Sequence, residues 1–161
     1  MVLIRRAKKS DKRQLLGLSR EFHNSTRLNR RIVSAKLFQL LARDFKHYHK
    51  EKIAKYTNAD EDNATFVAEE NGKLIGFIYG RIEEAQKKKL KRIGYVADWF
   101  VLEGFRHKGI GRRLWAQLII WFKLKKCDCI ELKVYPDNEP SKKIYRKLGL
   151  IEKDIIMGKK L

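Results

Sequence analysis

The sequence predicts an α/β fold with a mostly antiparallel central sheet flanked by helices, and three observations lead to that class. Asn71-Gly72 separates two strand-like stretches, ATFVAEE and KLIGFIYGRI, and an Asn-Gly pair supplies the positive φ angles of a two-residue hairpin turn. A third stretch, IGYVADWFVL, is rich in aromatic and β-branched residues, as strands are. Helical and strand patterns then alternate toward the C terminus without an internal repeat.

The N-terminal third predicts one strand and two helices. MVLIRRA predicts a short strand, and Ser10 or Asp11 then caps a first helix. The apolar side of that helix comprises Leu15, Leu16, Leu18 and Phe22. A basic link, HNSTRLNRR, is expected to join it to a second helix that runs from Ser34 to about Tyr56.

The C-terminal part predicts two more helices and two more strands. Apolar residues recur at helical spacing from Ile110 to about Lys125. The stretch DCIELKVY predicts a strand, and SKKIYRKLG predicts a helix with Gly149 as its C′ residue. The final stretch, IEKDIIMGKKL, is expected to form a last strand.

Length and composition predict one domain spanning residues 1–161. A chain of this size hides about 70% of the surface that its unfolded form exposes, which is enough for a core. No apolar run approaches the roughly 20 residues of a membrane span, and the first residues lack the order of a signal peptide. We therefore expect a cytoplasmic protein without membrane association. Cys127 and Cys129 lack a second cysteine pair, so we expect neither a disulfide nor a metal site.

The net charge of +19 at pH 7 is the strongest compositional signal. A charge of this sign attracts phosphate-rich partners. Three interpretations stay open from charge alone: a nucleic acid, a small polyanionic cofactor, or a solvated basic surface that promotes solubility. The basic run from Lys87 to Arg92 has no recognition-helix or aromatic nucleic-acid motif beside it. Nucleic-acid association through this surface is therefore expected to be weak.

The stretch FVLEGFRHKGIGRRLW, from Phe100 to Trp115, predicts an anion-binding turn between a strand and a helix. Gly109 and Gly111 let backbone N–H groups converge on one anion, and the helix that follows adds its positive end. Four cationic side chains accompany the turn: Arg106, Lys108, Arg112 and Arg113. The stretch lacks the Gly-Lys-Ser/Thr end of a Walker loop and the third glycine of a dinucleotide fingerprint. Nucleotide hydrolysis is therefore not expected.

A second motif lies further along the chain, where NEPSKKIYRKLGL places Asn138 after a strand and Tyr145 on a helix. Together the two stretches resemble the GNAT acetyltransferase superfamily, which has an Arg/Gln-x-x-Gly-x-Gly/Ala turn, a strand, an Asn and a Tyr-bearing helix in this order. The similarity covers Ile93 to Leu150 and is nearest to the diamine and polyamine N-acetyltransferases. It implies a GNAT-like mixed sheet for the whole domain.

The resemblance implies acetyl-CoA as the acyl donor. Its pyrophosphate is expected on the backbone N–H groups from His107 to Arg112, and its pantetheine arm between two parting strands, at 99–101 and 130–135. The cofactor-binding residues that the resemblance implies are Trp99, Phe100, Val101, Arg106, His107, Lys108, Gly109, Ile110, Gly111, Arg112, Asn138 and Ser141.

The implied reaction is direct acetyl transfer to a primary amine, without a covalent enzyme intermediate. An alkyl ammonium has a pKa of about 10.4, so it must lose a proton before it attacks. Tyr145 matches the family tyrosine that protonates the departing thiolate, the alternative being a tyrosine that only packs against the sheet. The polyamine enzymes carry Glu-Asp where this chain has Ala97-Asp98. Asp98 is therefore the expected base, with Glu83 or Glu131 acting through water as alternatives.

The orientation of Asp98 and the identity of the acceptor are the open points. Strand alternation turns Asp98 to the face opposite Ala97, unless a bulge re-aims it. A small amine or polyamine fits the resemblance, although the positive protein repels a polycation unless a local acidic patch attracts it. Amines on acidic protein segments fit the charge equally well. The alternative from another class is a non-catalytic, basic nucleic-acid-associated protein with the same fold, and a homodimer is compatible with either.

Overall fold

The computed structural model describes residues 1–29, 53–57, 60–85, 91–136 and 138–154, and for residues 26–29 it describes the backbone alone. Its strands are β1 (Leu3–Arg6), β2 (Asn63–Glu70), β3 (Lys73–Glu84), β4 (Arg92–Val101) and β5 (Cys129–Leu132). Its longer helices are α1 (Lys12–Asn29), α2 (Ile110–Leu124) and α3 (Glu139–Lys147). A helical segment covers residues 53–57, and 3₁₀ turns cover Lys9–Asp11 and Glu103–Phe105.

Among the described residues, one five-stranded sheet has the order β1-β2-β3-β4-β5. The first three pairings are antiparallel and the β4–β5 pairing is parallel, which confirms the predicted mixed, mostly antiparallel sheet. The β2–β3 hairpin turns at Asn71 and Gly72, whose φ angles are 50° and 77°. Both angles are positive, as the Asn-Gly sequence predicts for a type I′ turn.

Helices cover both faces of the sheet. On the first face, α2 buries Leu114, Leu118 and Phe122 against a cluster that includes Ile78 and Val96. Glycines in the sheet make this contact close, because a Cβ built on Gly94 meets the Phe122 ring at 2.6 Å. The second face is covered by α1 and by the helical segment at 53–57. Here Leu15, Leu18, Ile53 and Tyr56 pack on Val67 and Phe77.

Two predicted boundaries change in the structure. The link expected from His23 onward is wrong, since α1 continues to Asn29. The His23 and Ser25 side chains contact carbonyls of their own helix, at Ser19 O (2.7 Å) and Phe22 O (2.8 Å), and so do not end it. The strand predicted to reach Tyr135 ends at Leu132.

Two further predictions fall largely on residues outside the described part of the chain. The second predicted helix is seen only at 53–57, where its helical state is confirmed. Residues 151–154 form no strand. Side-chain ion pairs hold this stretch instead, with Glu152 on Arg146 and Lys153 on Glu131. The rest of the predicted last strand, 155–161, is outside the described residues. Within the described ranges, no helix has the length and apolar content that crossing a bilayer requires.

Candidate active site

The sheet splits between β4 and β5. The parallel ladder joins Ile93 to Cys129 and ends where Val96 faces Leu132. Beyond that point β4 continues to Val101, and within the described part of the chain it is paired only with β3, on its other side. The second half of β4 therefore presents an edge inside the fold, where an extended group is able to lie along the backbone.

A β-bulge at Ala97 decides which way the neighbouring side chains point. Tyr79 of β3 lies opposite Asp98 and the next residue, Gly80, lies opposite Val96, so Ala97 is an extra residue in β4. Ala97 packs on the same face as Phe100. The extra residue brings Asp98 to that face as well, next to Tyr79 and away from α2. The bulge that the sequence left open is thus present and re-aims Asp98.

Asp98 is buried and is contacted by the helical segment at 53–57, which covers the same face of the sheet. Asp98 is only 4% exposed, and the Tyr56 hydroxyl donates a 2.9 Å hydrogen bond to Oδ2 of Asp98. The Tyr56 ring lies 5.0 Å from the Tyr79 ring. Tyr79 in turn donates to Asn63 Oδ1 at 2.6 Å. Burial raises the pKa of Tyr79 to about 12. The positive charge of Arg81 opposes this shift, and the negative charge of Asp98 adds to it.

The two other carboxylates that the sequence offered as bases are engaged elsewhere. Glu83 accepts a 2.8 Å hydrogen bond from Nε of Arg81, and both side chains are well exposed. Glu131 pairs with Nζ of Lys153 at 2.6 Å. Asp98 is the buried carboxylate among the three.

An aromatic stack occupies the other side of β4. The Trp99 ring stacks on Trp115 of α2 at 5.3 Å, and the Tyr145 ring of α3 lies 6.2 Å from the Trp99 ring. A Cβ on Gly111 meets the Trp99 ring at 3.3 Å. Trp99 therefore joins the start of α2 to α3. Because Trp99 and Asp98 point to opposite faces, Tyr145 and Asp98 approach the split from opposite sides of the sheet.

Tyr145 is available as a proton donor at neutral pH. Burial raises the pKa of Tyr145 above its ordinary value of 10, and a hydrogen bond with the Ser141 side chain offsets only part of that effect. Its helix begins with Asn138 as the N-cap, whose Oδ1 accepts from the Ser141 backbone N–H at 3.3 Å. The side chain of Asn138 thus caps α3, as a residue of this type does at a helix start.

The glycine turn has the backbone of an anion cradle. His107 and Gly109 have φ angles of 62° and 75°, and Gly109 is the N-cap of α2. A Cβ on Gly109 meets nothing within 4 Å, so the space in front of the turn is open. The first-turn N–H groups, at 110–112, have no intrahelical acceptor. They point outward from the positive end of a 15-residue helix.

The cationic side chains around this turn have different orientations. Nε of Arg106 donates to Val101 O at 3.0 Å, which ties the turn to the end of β4. Arg113 reaches Val2 O at 3.0 Å and so points toward the N-terminal strand. Nζ of Lys108 lies over the Phe105 ring, 5.3 Å from its centre. The backbone, more than the side-chain charges, forms the part of the cradle that faces outward.

The family assignment follows from a comparison with known protein families. The model of the acetyltransferase (GNAT) family matches residues 34–150. The chain belongs to this family. The match includes β2 to β5, the glycine turn, α2 and α3, which are the elements that build the split and its surroundings.

Two proteins named as N-acetyltransferases are among the individual relatives. The chain is 28% identical over 118 residues to an uncharacterized N-acetyltransferase of Methanocaldococcus jannaschii, covering 70% of this chain and 52% of that protein. It is 33% identical over 99 residues to an N-alpha-acetyltransferase of Sulfurisphaera tokodaii, covering 58% of this chain and 59% of that protein. The chain thus spans somewhat more than half the length of these two relatives.

A solved GNAT structure gives the same fold. The aminoglycoside N-acetyltransferase AAC(6′)-Iy, in complex with a bisubstrate analog of CoA and an acetylneamine, is similar with a TM-score of 0.72 at 22% identity. The similarity covers 100% of this chain and 99% of that one. At this identity the comparison supports the fold, which agrees with the GNAT-like sheet predicted from the sequence.

Sequence reasoning missed two residues that the GNAT fold brings to the split, Tyr56 and Tyr79. Tyr56 is 42 positions from its partner Asp98 and carries no motif of its own. Tyr79 is one of many aromatic residues in a predicted strand, and its position opposite Asp98 depends on the bulge at Ala97. Only the β3–β4 register identifies that pair, and the sequence carries no signal for the register.

Proposed function

We propose that this protein transfers the acetyl group of acetyl-CoA directly to a primary amine. The observation that carries the proposal is the split between β4 and β5, because it lies next to an outward-facing anion cradle. Tyr145 and Asp98 approach it from opposite faces. Membership of the acetyltransferase (GNAT) family supports the same function, as does the CoA-containing complex of AAC(6′)-Iy.

The residues around the turn fit the pyrophosphate of acetyl-CoA. Open space lies in front of Gly109, and the N–H groups at 110–112 lack intrahelical acceptors. Converging N–H groups at the positive end of a helix bind phosphate without any particular side chain. The proposed contacts are the backbone of His107, Lys108, Gly109, Ile110, Gly111 and Arg112. Arg106 supports them by anchoring the turn to Val101.

The free edge of β4 fits the pantetheine arm. Its amide groups are able to pair with the β4 edge beyond Val96, which no strand among the described residues occupies. When bound, acetyl-CoA supplies an acetyl group activated as a thioester. A backbone N–H near Phe100 or Val101 is proposed to hold the acetyl oxygen, where negative charge develops during attack.

Two side chains are proposed to move protons. An alkyl ammonium with a pKa of about 10.4 must be deprotonated before it attacks, and Asp98 accepts that proton. On the other side of β4, the Tyr145 phenol gives its proton to the departing sulfur. The raised pKa of Tyr145 keeps the phenol protonated at neutral pH. Asn138 and Ser141 contribute by fixing the start of the helix that carries Tyr145.

The acceptor is proposed to be an amine on a protein or a small molecule. The relative from Sulfurisphaera tokodaii is an N-alpha-acetyltransferase, which makes a peptide with a free α-amino group the first acceptor to test. A screen of acceptors also includes lysine peptides, polyamines and aminoglycosides. The release of CoA measures the turnover of each acceptor. Acceptors on acidic peptides belong in the screen because the chain carries a net charge of +19.

Isothermal titration with acetyl-CoA tests the cradle. Gly109→Ala adds a Cβ to the open face of the turn and disfavours the left-handed conformation there. We expect the affinity for acetyl-CoA to fall by about tenfold, the effect of about 1.4 kcal/mol of strain. Gly72→Ala is the matched control, because Gly72 has a φ of 77° and an equally open Cβ position at the distant hairpin tip.

The two outcomes are readily separated. Wild-type protein that shows no binding to acetyl-CoA at micromolar concentrations in low salt contradicts the proposed function. Equal losses of affinity in Gly109→Ala and Gly72→Ala indicate general destabilisation and contradict the assignment of the pyrophosphate to this turn.

A further inference from the structure

Helix α2 exposes apolar side chains on the side that points away from the sheet. Beyond the anion cradle, its exposed positions are Arg113, Ala116, Gln117, Ile120, Lys123 and Leu124. They recur at spacings of three and four residues and so form one stripe along the helix. We call Ile120, Lys123 and Leu124 the α2 patch. Ile120 is 50% exposed and Leu124 is 76% exposed, although a surface helix normally turns charged or polar side chains to solvent.

The α2 patch lies in a positively charged part of the chain that contains no carboxylate. Between Glu103 and Asp128 the chain has seven Lys or Arg residues and no Asp or Glu. Asp128 itself accepts hydrogen bonds from the backbone N–H groups of residues 91 and 92, which engages it at the start of β4. Arg6 of β1 adds a cation beside the patch, because its guanidinium lies 5.7 Å from the centre of the Trp121 ring. The counter-charge of this surface therefore has to come from outside α2.

The exposed side of α3 shows how a solvated helix face of this protein is built. There Glu139 pairs with Lys142 at 2.7 Å and with Arg146 at 3.4 Å. Ile144 on the same helix is 50% exposed, the same fraction as Ile120, but its helix carries a carboxylate paired with cations. A single exposed apolar residue needs no explanation, whereas two apolar side chains one turn apart on an acid-free helix indicate a contact surface.

We propose that the α2 patch binds an acidic segment of a partner protein, in which apolar side chains alternate with carboxylates. Two apolar residues one helical turn apart match the i and i+4 side chains of an amphipathic helix. The cations around them pair with the carboxylates of the partner. One helix face offers a small contact area, so the association is weak and transient. The net charge of +19 attracts an acidic partner and opposes a second copy of this chain as the occupant.

The composition of the α2 patch favours a polypeptide over other polyanions. Nucleic acids bind to cations combined with aromatic side chains, on which the bases stack. The aromatic residues of α2 are buried instead: Trp115, Trp121 and Phe122. A lipid surface takes up a broad apolar face with bulky side chains, and Ile120 and Leu124 supply only a narrow one.

The α2 patch is separate from the proposed cofactor site. From Arg112 to Ile120 the helix rises by about 12 Å, so a segment bound at the patch leaves the N–H groups at 110–112 free. Binding at the α2 patch goes beyond the proposed function and does not require acetyl transfer.

Isothermal titration with an acidic peptide tests the α2 patch. The probe is a helix-forming peptide of about 16 residues, made of glutamate, alanine and leucine with the leucines on one face. A scrambled peptide of the same composition has the same charge but no apolar face. We expect the ordered peptide to bind about tenfold more tightly, because only this peptide combines apolar contacts with ion pairs.

Substitutions locate the difference between the two peptides. The double variant Ile120→Ser and Leu124→Ser should bind both peptides equally and weakly. Ile144→Ser is the matched control, since Ile144 is as exposed as Ile120, and it should retain the tenfold preference. Equal binding of the two peptides by the wild type, or an equal loss in Ile144→Ser, overturns the proposal.

A second readout uses the wild-type protein and so does not depend on the folding of a variant. With ¹³C-labelled isoleucine methyl groups, the Ile120 signal is identified by its loss in Ile120→Val. This signal should shift on addition of the ordered peptide, and the Ile144 signal should not. Saturation with acetyl-CoA should leave the peptide affinity within about twofold. Competition between the two ligands places the peptide on the anion cradle and overturns the proposal.

The remaining outcomes concern other occupants and the proposed function. Binding to phosphatidylserine vesicles that requires Ile120, without peptide binding, assigns the α2 patch to a lipid surface and overturns the proposal. A dimer that sediments as such and is lost in Ile120→Ser, again without peptide binding, overturns it in favour of a second copy. A protein that binds the ordered peptide but not acetyl-CoA upholds the α2 patch and contradicts the proposed function instead.

Discussion

The two halves of β4 differ in how they are paired, and the difference separates stability from chemistry. From Arg92 to Val96 the strand is paired on both sides, and Phe122 presses closely on Gly94. From Ala97 to Val101 the strands that the structure describes pair with it on one side only, and its side chains alternate between a buried carboxylate and an aromatic stack. We call residues 92–96 the closed half of β4 and residues 97–101 its open half. The closed half anchors the strand, so the open half is able to keep an unpaired edge without fraying.

The largest expected effect concerns the open half. Tyr145→Phe removes a proposed proton donor and keeps the ring beside Trp99, so turnover should fall by about a hundredfold while acetyl-CoA affinity is nearly unchanged. Since burial raises the pKa of Tyr145, wild-type turnover should persist through neutral pH and decline only in the alkaline range above 10. That alkaline limb should be missing in the variant.

Steady-state kinetics at saturating acceptor and direct titration of acetyl-CoA provide the two measurements. Turnover equal to that of the wild type, in conditions where chemistry limits the rate, assigns Tyr145 a packing role. The open half then retains Asp98 as its one proposed proton-transfer group.

The next effect concerns the closed half. Gly94→Ala places a methyl group 2.6 Å from the buried Phe122 ring, so the free energy of unfolding should fall by about 2 kcal/mol. Gly17→Ala is the control, because Gly17 lies in α1 with nothing within 4 Å of the added Cβ. It should raise that free energy by about 0.5–1 kcal/mol through better helix propensity.

Urea unfolding of both variants checks this pair. Below its unfolding transition, Gly94→Ala should retain acetyl-CoA affinity close to that of the wild type. A variant that stays as stable as the wild type but loses acetyl-CoA binding contradicts the division of β4 into an anchoring half and a binding half.

The smallest effect concerns His107, next to the open half. Its φ of 62° is one that glycine adopts more readily. If the backbone forms the cradle, His107→Gly should keep the acetyl-CoA affinity within about twofold of the wild type. His107→Val, which disfavours this conformation, should weaken binding by about tenfold. Titration that finds equal losses in both variants points to binding by the imidazole.

The sequence predicted those parts of the fold that local chemistry determines. Asn71-Gly72 predicted the hairpin, and the glycines at 109 and 111 predicted the turn before α2. It did not predict that β5 stops at Leu132. The stretch DCIELKVY has the composition of a strand throughout, and its ladder with β4 ends where Val96 faces Leu132. A strand boundary set by its partner has no signal in its own residues.

The sequence predicted the candidate site only in part, as it did the fold. Tyr145 and Asp98 came from motif positions, and the structure places both beside the split. The orientation of Asp98 depended on a bulge, which strand alternation does not reveal. Tyr56 came from an element whose packing against the sheet is a long-range outcome of folding. The nearest similarity to polyamine acetyltransferases stays a prediction, as do a nucleic-acid partner and a homodimer.

The bulge at Ala97 also makes the position of the proposed base interchangeable. Two adjacent residues, 97 and 98, face the same side of the sheet, where a regular strand offers one. A carboxylate lost from one of them can be regained at its neighbour without a change of fold or register. The Ala97-Asp98 pair is then one of two equivalent arrangements, and a lineage is able to pass between them in two substitutions, through a form that carries both acids.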